Sequence, residues 1–338
     1  MTDITLKDSL EARLFVALHA IKGQNDIDRC LELIEKGADP NAKDFRGTPA
    51  LIHAADKGLA SIVKALIHKD ADINCQDHMQ CTPLYRAAWK GHNDIVRLLI
   101  EKGAALDTAS YNSCTPLIIA ATYGHNDIVQ SLCDAGADKY HLDNSNHSAL
   151  TKAIRCNQEQ CAKILIKEGT AGPGGFQDIH TALGFAAEYG HADVIREMLD
   201  RGICPDHQHL TGYVHLAARE DKTEAVQVFL DYGIDINARD ERYLTPLMAA
   251  AEGGAVHTTQ LLLDNGADPN RVSIGGGNTT AKDIAVERMK DHTGSKKKDF
   301  ETVINTLNIA AIQAADKAGT TRKRRILRPS TKQRGPAI

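Results

Sequence analysis

The side chains of this protein best suited to chemistry are its 15 histidines and 8 cysteines, which could ligate zinc or arm a nucleophile. Three histidines follow a glycine, at His92, His125 and His191, as metal ligands in series would. Their spacing argues otherwise. His92 and His125 stand 33 residues apart inside identical hexapeptides, "GHNDIV" at Gly91–Val96 and Gly124–Val129, so each is expected to have the same local task of fixing a turn between helices. Packed helices lie about 10 Å apart, too far for successive copies to share one ion. His207, Gln208 and His209, with His215 nearby, form a looser cluster that reads as a solvated hairpin tip. Cys30, Cys75, Cys81, Cys114, Cys133, Cys156, Cys161 and Cys204 have no framework spacing, and Cys81 and Cys114 occupy equivalent positions in successive copies. Reduced thiols are expected. "GPGG" at Gly172–Gly175 and "GGGN" at Gly275–Asn278 follow no apolar strand and lack the Lys-Ser/Thr of a nucleotide loop. With no Ser/His/Asp or Cys/His set in view, no catalytic residue, cofactor or metal ligand is assigned, and no enzymatic activity is expected.

The elements that carry these residues follow one period. The glycine of phrases such as "EKGAD" and "DAGAD" recurs at Gly37, Gly103, Gly136, Gly169, Gly202, Gly233 and Gly266, with Asp70 filling the remaining slot. Such a ladder is the mark of a repeat array. Within "CTPLYRAAWKGHNDIVRLLIEKGAALD", Thr82 can cap a helix and Pro83 suits its first position, where the missing N–H costs nothing. Ala87 and Ala88 let a neighbouring helix come close, and Gly91 ends the segment. A second helix follows with Ile95, Leu98 and Leu99 on its apolar face and Gly103 at its end. Polar connectors such as "GADPNAKDFRG" read as hairpin loops.

The phrases "TPLYRAAWKGHNDIVRLLIEKGA", "TPLIIAATYGHNDIVQSLCDAGAD" and "TPLMAAAEGGAVHTTQLLLDNGADPN" resemble ankyrin repeats. The resemblance covers residues 10–290 as eight units with the start of a diverged cap, after an extension at 1–9; it is followed by a capping-helix region at 291–319 and a basic tail at 320–338. It implies an all-α solenoid of helix-turn-helix units joined by hairpins, acting as a non-enzymatic scaffold. Partners of this family dock on a concave side made of hairpin tips and first-helix ends. Carried onto this chain, those positions include Trp89, Lys90, Tyr123, Arg155 and Tyr189 at helix ends and His78, Met79 and Tyr111 at tips, with Arg86 and Phe185 on the inner helix face. Aromatic residues and arginine carry most interface energy, at ~2 kcal/mol or more per hot spot, so the patch is expected to centre on units three and four, around the only Trp. The competing reading is that these rings cover seams between units. The repeat ends also resemble segments hydroxylated at asparagine in this family, which singles out Asn41, Asn74 and Asn270, alongside the plainer reading that these residues only hold the hairpins. Two departures, Ser148-Ala149 in place of Thr-Pro and the early start of "TGYVHLAA", predict irregular stacking between units five and seven.

The charge is divided. Overall it is −4, yet residues 320–338 hold seven Lys and Arg, among them Arg322, Lys323, Arg324, Arg325 and Arg328, and no acid, so the rest of the chain carries −11. Few apolar residues accompany them, and disorder is expected there. The tail reads as a nuclear-import signal, a nucleic-acid or anionic-membrane contact, an arginine-rich bacterial secretion signal, or an inert segment. These alternatives stay open, and they make a nucleic-acid-associated regulator or a secreted effector the second functional reading. With no apolar run near about 18 residues and no hydrophobic segment behind the N-terminus, a monomeric cytoplasmic protein without a membrane span is expected, the nucleus being the alternative that the tail suggests.

Overall fold

The computed structural model describes residues 9–169, 175–203, 207–274 and 278–326. Among these residues the chain forms 18 helices in nine consecutive pairs. The first five pairs are α1 (Leu10–Ala20) with α2 (Gln24–Glu35), α3 (Ala50–Asp56) with α4 (Ala60–His68), α5 (Pro83–Lys90) with α6 (Asn93–Glu101), α7 (Pro116–Tyr123) with α8 (Asn126–Asp134), and α9 (Ala149–Arg155) with α10 (Glu159–Lys167). Then come α11 (Gly175–Tyr189) with α12 (Ala192–Asp200), α13 (His207–Arg219) with α14 (Thr223–Asp231), α15 (Pro246–Gly253) with α16 (Val256–Asp264), and α17 (Ala281–Met289) with α18 (Gly294–Ile326). The only β pairing among the described residues is the isolated bridge of Lys43 with Pro49. No described helix is long and apolar enough to cross a membrane.

Helices α5, α7, α9 and α15 begin where a hydroxyl takes up an orphan N–H, whereas α3 starts behind Pro49 without a side-chain cap. Thr82 Oγ1 accepts from Tyr85 N at 3.1 Å, and Thr115 and Thr245 do the same for Ile118 and Met248. Ser148 caps α9 in the same way, accepting from Thr151 N at 3.2 Å, so the missing Thr-Pro leaves the start of the fifth unit regular. The closing ladder adopts left-handed backbone throughout, and Asp70 does so at φ +63° without the freedom of glycine. An acidic side chain tolerates that region better than most. In α6 the core face is Ile95, Val96 and Leu99, with Leu98 half-buried. The helix is therefore rotated slightly from the face that the sequence suggests, bringing Val96 inward. Burying each such side chain contributes about 1.5–3 kcal/mol.

Two further expectations are corrected. His207–His209 begin helix α13 and do not form a hairpin tip; the stretch lacks the Asp, Asn and Gly residues that turn the other hairpins. Helix α18 runs through Ile326, past the boundary expected at 319, so Arg322–Arg325 are helical. Lys and Arg are good helix formers and favour a helix C-terminus, where the dipole is negative. Arg328, Cys204 and most of the two glycine-rich loops lie outside the described residues.

The chain divides into two compact units, residues 1–185 with 200–204, and 186–199 with 205–338. In the first, α1, α3, α5, α7 and α9 pack in sequence on one layer and α2, α4, α6, α8 and α10 on the other. In the second, α13, α15 and α17 form one layer, and α18 packs against both α16 and α17 to close the end, with Phe300, Val303 and Leu307 buried. Because such an array is stabilised through neighbour interfaces, the two units are expected to open separately. Hydrogen exchange should show two protection plateaus, whereas uniform protection from α3 to α16 would contradict this.

Candidate partner-binding site

His92 and His125 work between copies and not within their own turns. His92 donates through Nε2 to the Asp56 carbonyl at 3.0 Å, and His125 to the Trp89 carbonyl at 3.0 Å. Each ring lies where a β-carbon on the previous copy's glycine would stand, 2.7 Å from Cε1 for both Gly58–His92 and Gly91–His125. A side chain there would be strained as well as crowded, since both positions also have positive φ. Replacing His125 by Ala leaves the Trp89 carbonyl without its donor and is expected to cost about 1–2 kcal/mol. The shift of the urea midpoint measures it.

His125 thereby joins the two aromatic residues singled out by the sequence. Trp89 ends α5 half-buried, with its ring centroid 6.2 Å from that of Tyr123 at the end of α7. Tyr123 is 51% exposed and stacks on His125 at 6.5 Å. Cations flank the indole: Lys90 Nζ lies 4.8 Å and Arg86 Cζ 5.3 Å from its centroid. Tyr111 is 69% exposed at its tip, and its N–H donates to the Met79 carbonyl at 3.0 Å, tying neighbouring hairpins together. Met79 and His78 are exposed. Trp89, Lys90, Tyr123, Tyr111 and Met79 thus sit on one run of units α5 to α8 and their hairpins, open to solvent.

Arg86 stands apart in role. Its guanidinium holds buried Asp77 through Nε at 3.0 Å and a second nitrogen at 2.5 Å, and lies 4.0 Å from Asp56. It is engaged in the fold and presents its π-facing side to Trp89. Arg155 and Phe185 form a second cation–π pair at 5.0 Å, with His147 against both. Tyr189 belongs to the other compact unit, where it is 43% exposed beside His191. Asn41 and Asn74 direct Oδ1 to the N–H of Asp72 at 2.7 Å and Ala105 at 2.8 Å, each in the next hairpin. Asn270 donates its own N–H to Asp268 at 2.9 Å.

Burial keeps five of the thiols protonated, while Cys156 is exposed. All described cysteines are free, and burial pushes Cys30, Cys81 and Cys133 up to about 11 and Cys75 and Cys161 to about 12. His215 is buried, with its two ring nitrogens at 2.6 Å and 2.7 Å from the carbonyls of Thr211 and Leu244. Its place is structural. A cluster that sequence reading passed over joins His19, Asp44 and His53; spacings of 25 and 9 residues match no ligand motif, and only the stacking of α1 on α3 brings them together.

A family model described as "Ankyrin repeats (3 copies)" matches this chain over residues 17–112, 105–174, 170–240 and 214–293. Similar proteins include ankyrin repeat protein nuc-2 of Neurospora crassa, 34% identical over 134 residues, which is 38% of this chain and 12% of that one. Human ankyrin repeat and KH domain-containing protein 1 is 37% identical over 73 residues, 22% of this chain and 3% of that one. Human ankyrin repeat and SOCS box protein 11 is 27% identical over 116 residues, 34% of this chain and 36% of that one. The matched region is thus a minor part of each relative.

Proposed function

The chain belongs to the ankyrin-repeat family, whose repeats are generally protein–protein interaction modules and typically non-enzymatic, and from that premise we propose that it binds a partner protein through the hairpin and first-helix side of units three and four. The observation that carries this reading is the solvent-facing pair Trp89 and Tyr123, flanked by Lys90 and Arg86. A half-buried indole between two cations is preorganised, so a partner orders few side chains on docking. An aromatic partner surface with an acid opposite Lys90 suits it best, because the rings bury apolar area and Lys90 is exposed, whereas Arg86 is already held by Asp77 and Asp56.

The test is affinity purification with the full chain, with a chain truncated after Gly319, and with the Trp89→Ala/Tyr123→Ala double variant. A partner kept by the truncation and lost by the double variant supports the reading. A partner lost only on truncation transfers binding to the basic segment, and steep salt dependence would then point to nucleic acid.

A further inference from the structure

Near the start of the array three side chains converge: His19 at the end of α1, Asp44 in the first hairpin and His53 in α3. Their ligand atoms all lie within 4.8 Å of one another. The His19 ring Nδ1 is 2.7 Å from the Phe15 carbonyl. A carbonyl only accepts, so Nδ1 carries the proton and Nε2 the lone pair. Asp44 is fixed through Oδ1, which accepts from the N–H groups of Arg46 at 2.9 Å and Thr48 at 2.8 Å. Its Oδ2 faces His53 Nε2 at 3.0 Å. The two imidazoles meet edge-on with centroids 4.7 Å apart.

The next copy shows what this slot requires structurally. There the hairpin acid is Asp77, the helix position is Arg86 and the preceding helix end is Asp56, so a guanidinium sits between two carboxylates. Further along, Lys152 holds Asp143 at 2.7 Å. In both copies a permanent cation satisfies the hairpin acid. In the first copy the acid is kept, the cation is replaced by His53, and the helix end supplies a second imidazole. Support of the hairpin accounts for His53. It does not account for His19, whose ligand atom lies within 4.8 Å of those of Asp44 and His53.

We propose that His19, Asp44 and His53 form a binding site for a zinc-class divalent cation, with Nε2 of both histidines and Oδ2 of Asp44 as ligands. Three protein ligands with an open fourth position, and imidazole with carboxylate donors, suit Zn²⁺. Outer contacts of the expected kind are already in place, the Phe15 carbonyl orienting His19 and the two backbone amides orienting Asp44. Donors about 2.0–2.1 Å from one tetrahedral ion stand ~3.4 Å apart; the His53–Asp44 pair is close to that, and the exposed His19 side chain starts within 4.8 Å of both. On binding, the His53 ring proton moves from Nε2 to Nδ1, so the ligand is neutral imidazole and no proton is lost. The fourth position opens on a groove of ≈ 290 Å³ lined also by Phe45, His78 and Arg86, where water or a partner's side chain completes the shell.

The experiment is a calorimetric titration of Zn²⁺ into the full reduced chain, its His19→Ala and Asp44→Asn variants, and Cys156→Ser, which removes the exposed thiol. One ion per wild-type chain is expected, with a raised thermal midpoint. His19→Ala and Asp44→Asn should each weaken binding at least about tenfold, since even outer-shell partners are worth roughly 10–100-fold, while Cys156→Ser should bind like wild type. His19 is exposed at a helix end, so its variant should keep the apo thermal midpoint, and Asn at 44 retains an oxygen for the hairpin amides. Co²⁺ in the wild-type chain should give visible d–d bands without a near-ultraviolet thiolate band. Equal binding by wild type and His19→Ala, a thiolate band, or neither heat nor a raised thermal midpoint at ~100 µM Zn²⁺, where a site of micromolar Kd is almost fully occupied, overturns the proposal.

Discussion

Alanine at Trp89 and at Tyr123 is expected to weaken partner binding by roughly tenfold or more for each substitution. The two rings are offered differently. Tyr123 is half exposed over His125, so its truncation removes contact area without touching the core. Trp89 is half-buried against Arg86 and Lys90, so its truncation also loosens those side chains and is expected to lower stability by about 1 kcal/mol. Each substitution should act chiefly on dissociation, as interface truncations generally do. Glu241→Gln is the control, being an exposed tip residue in the other compact unit. Its neighbour Arg242 is unsuitable because it pairs with Glu252 at 3.1 Å. Surface plasmon resonance with the captured partner reads the rates. Unchanged binding by the double variant, or its unfolding, would assign both rings to the seams between copies.

Gly253→Ala is expected to destabilise the second unit by about 3 kcal/mol, at the upper end of overpacking costs. A β-carbon on Gly253 would lie 1.9 Å from the Arg219 carbonyl oxygen and 2.8 Å from its carbon. Backbone cannot yield as a flexible side chain can. The reason lies in the neighbouring position: Ala255 stands where earlier copies carry His92 and His125, whose rings fill the seam and donate to the preceding helix-end carbonyl. Without the ring, α15 approaches α13 until glycine alone fits. Gly212→Ala is the contrast. That residue lies exposed in helix α13 with no atom within 4 Å of the added β-carbon, so the change is expected to stabilise by up to about 1 kcal/mol through helix propensity. Urea unfolding of the two variants distinguishes them. A neutral Gly253→Ala would show that the two helices can separate at little cost.

The repeat period, the helix pairs, the hydroxyl caps and the left-handed ladder, including Asp70, were all legible in the residues themselves. These features depend on neighbours within about four positions along the chain, where capping, φ preference and helical periodicity act. The aromatic positions at helix ends were legible for the same reason, once each copy could be aligned on the next. What the sequence left undecided are choices between copies. That His92 reaches back to Asp56, that Arg86 is held by Asp77 and Asp56, that Gly253 touches the Arg219 carbonyl, and that His19 meets His53 and Asp44 all depend on tertiary contact. Most of these partners stand 25 to 36 residues apart, and the repeat pattern makes many side chains equivalent candidates for each contact. Which of them meets its neighbour is decided by the depth of each seam, and that depth is set by the volume of the residues packed into it.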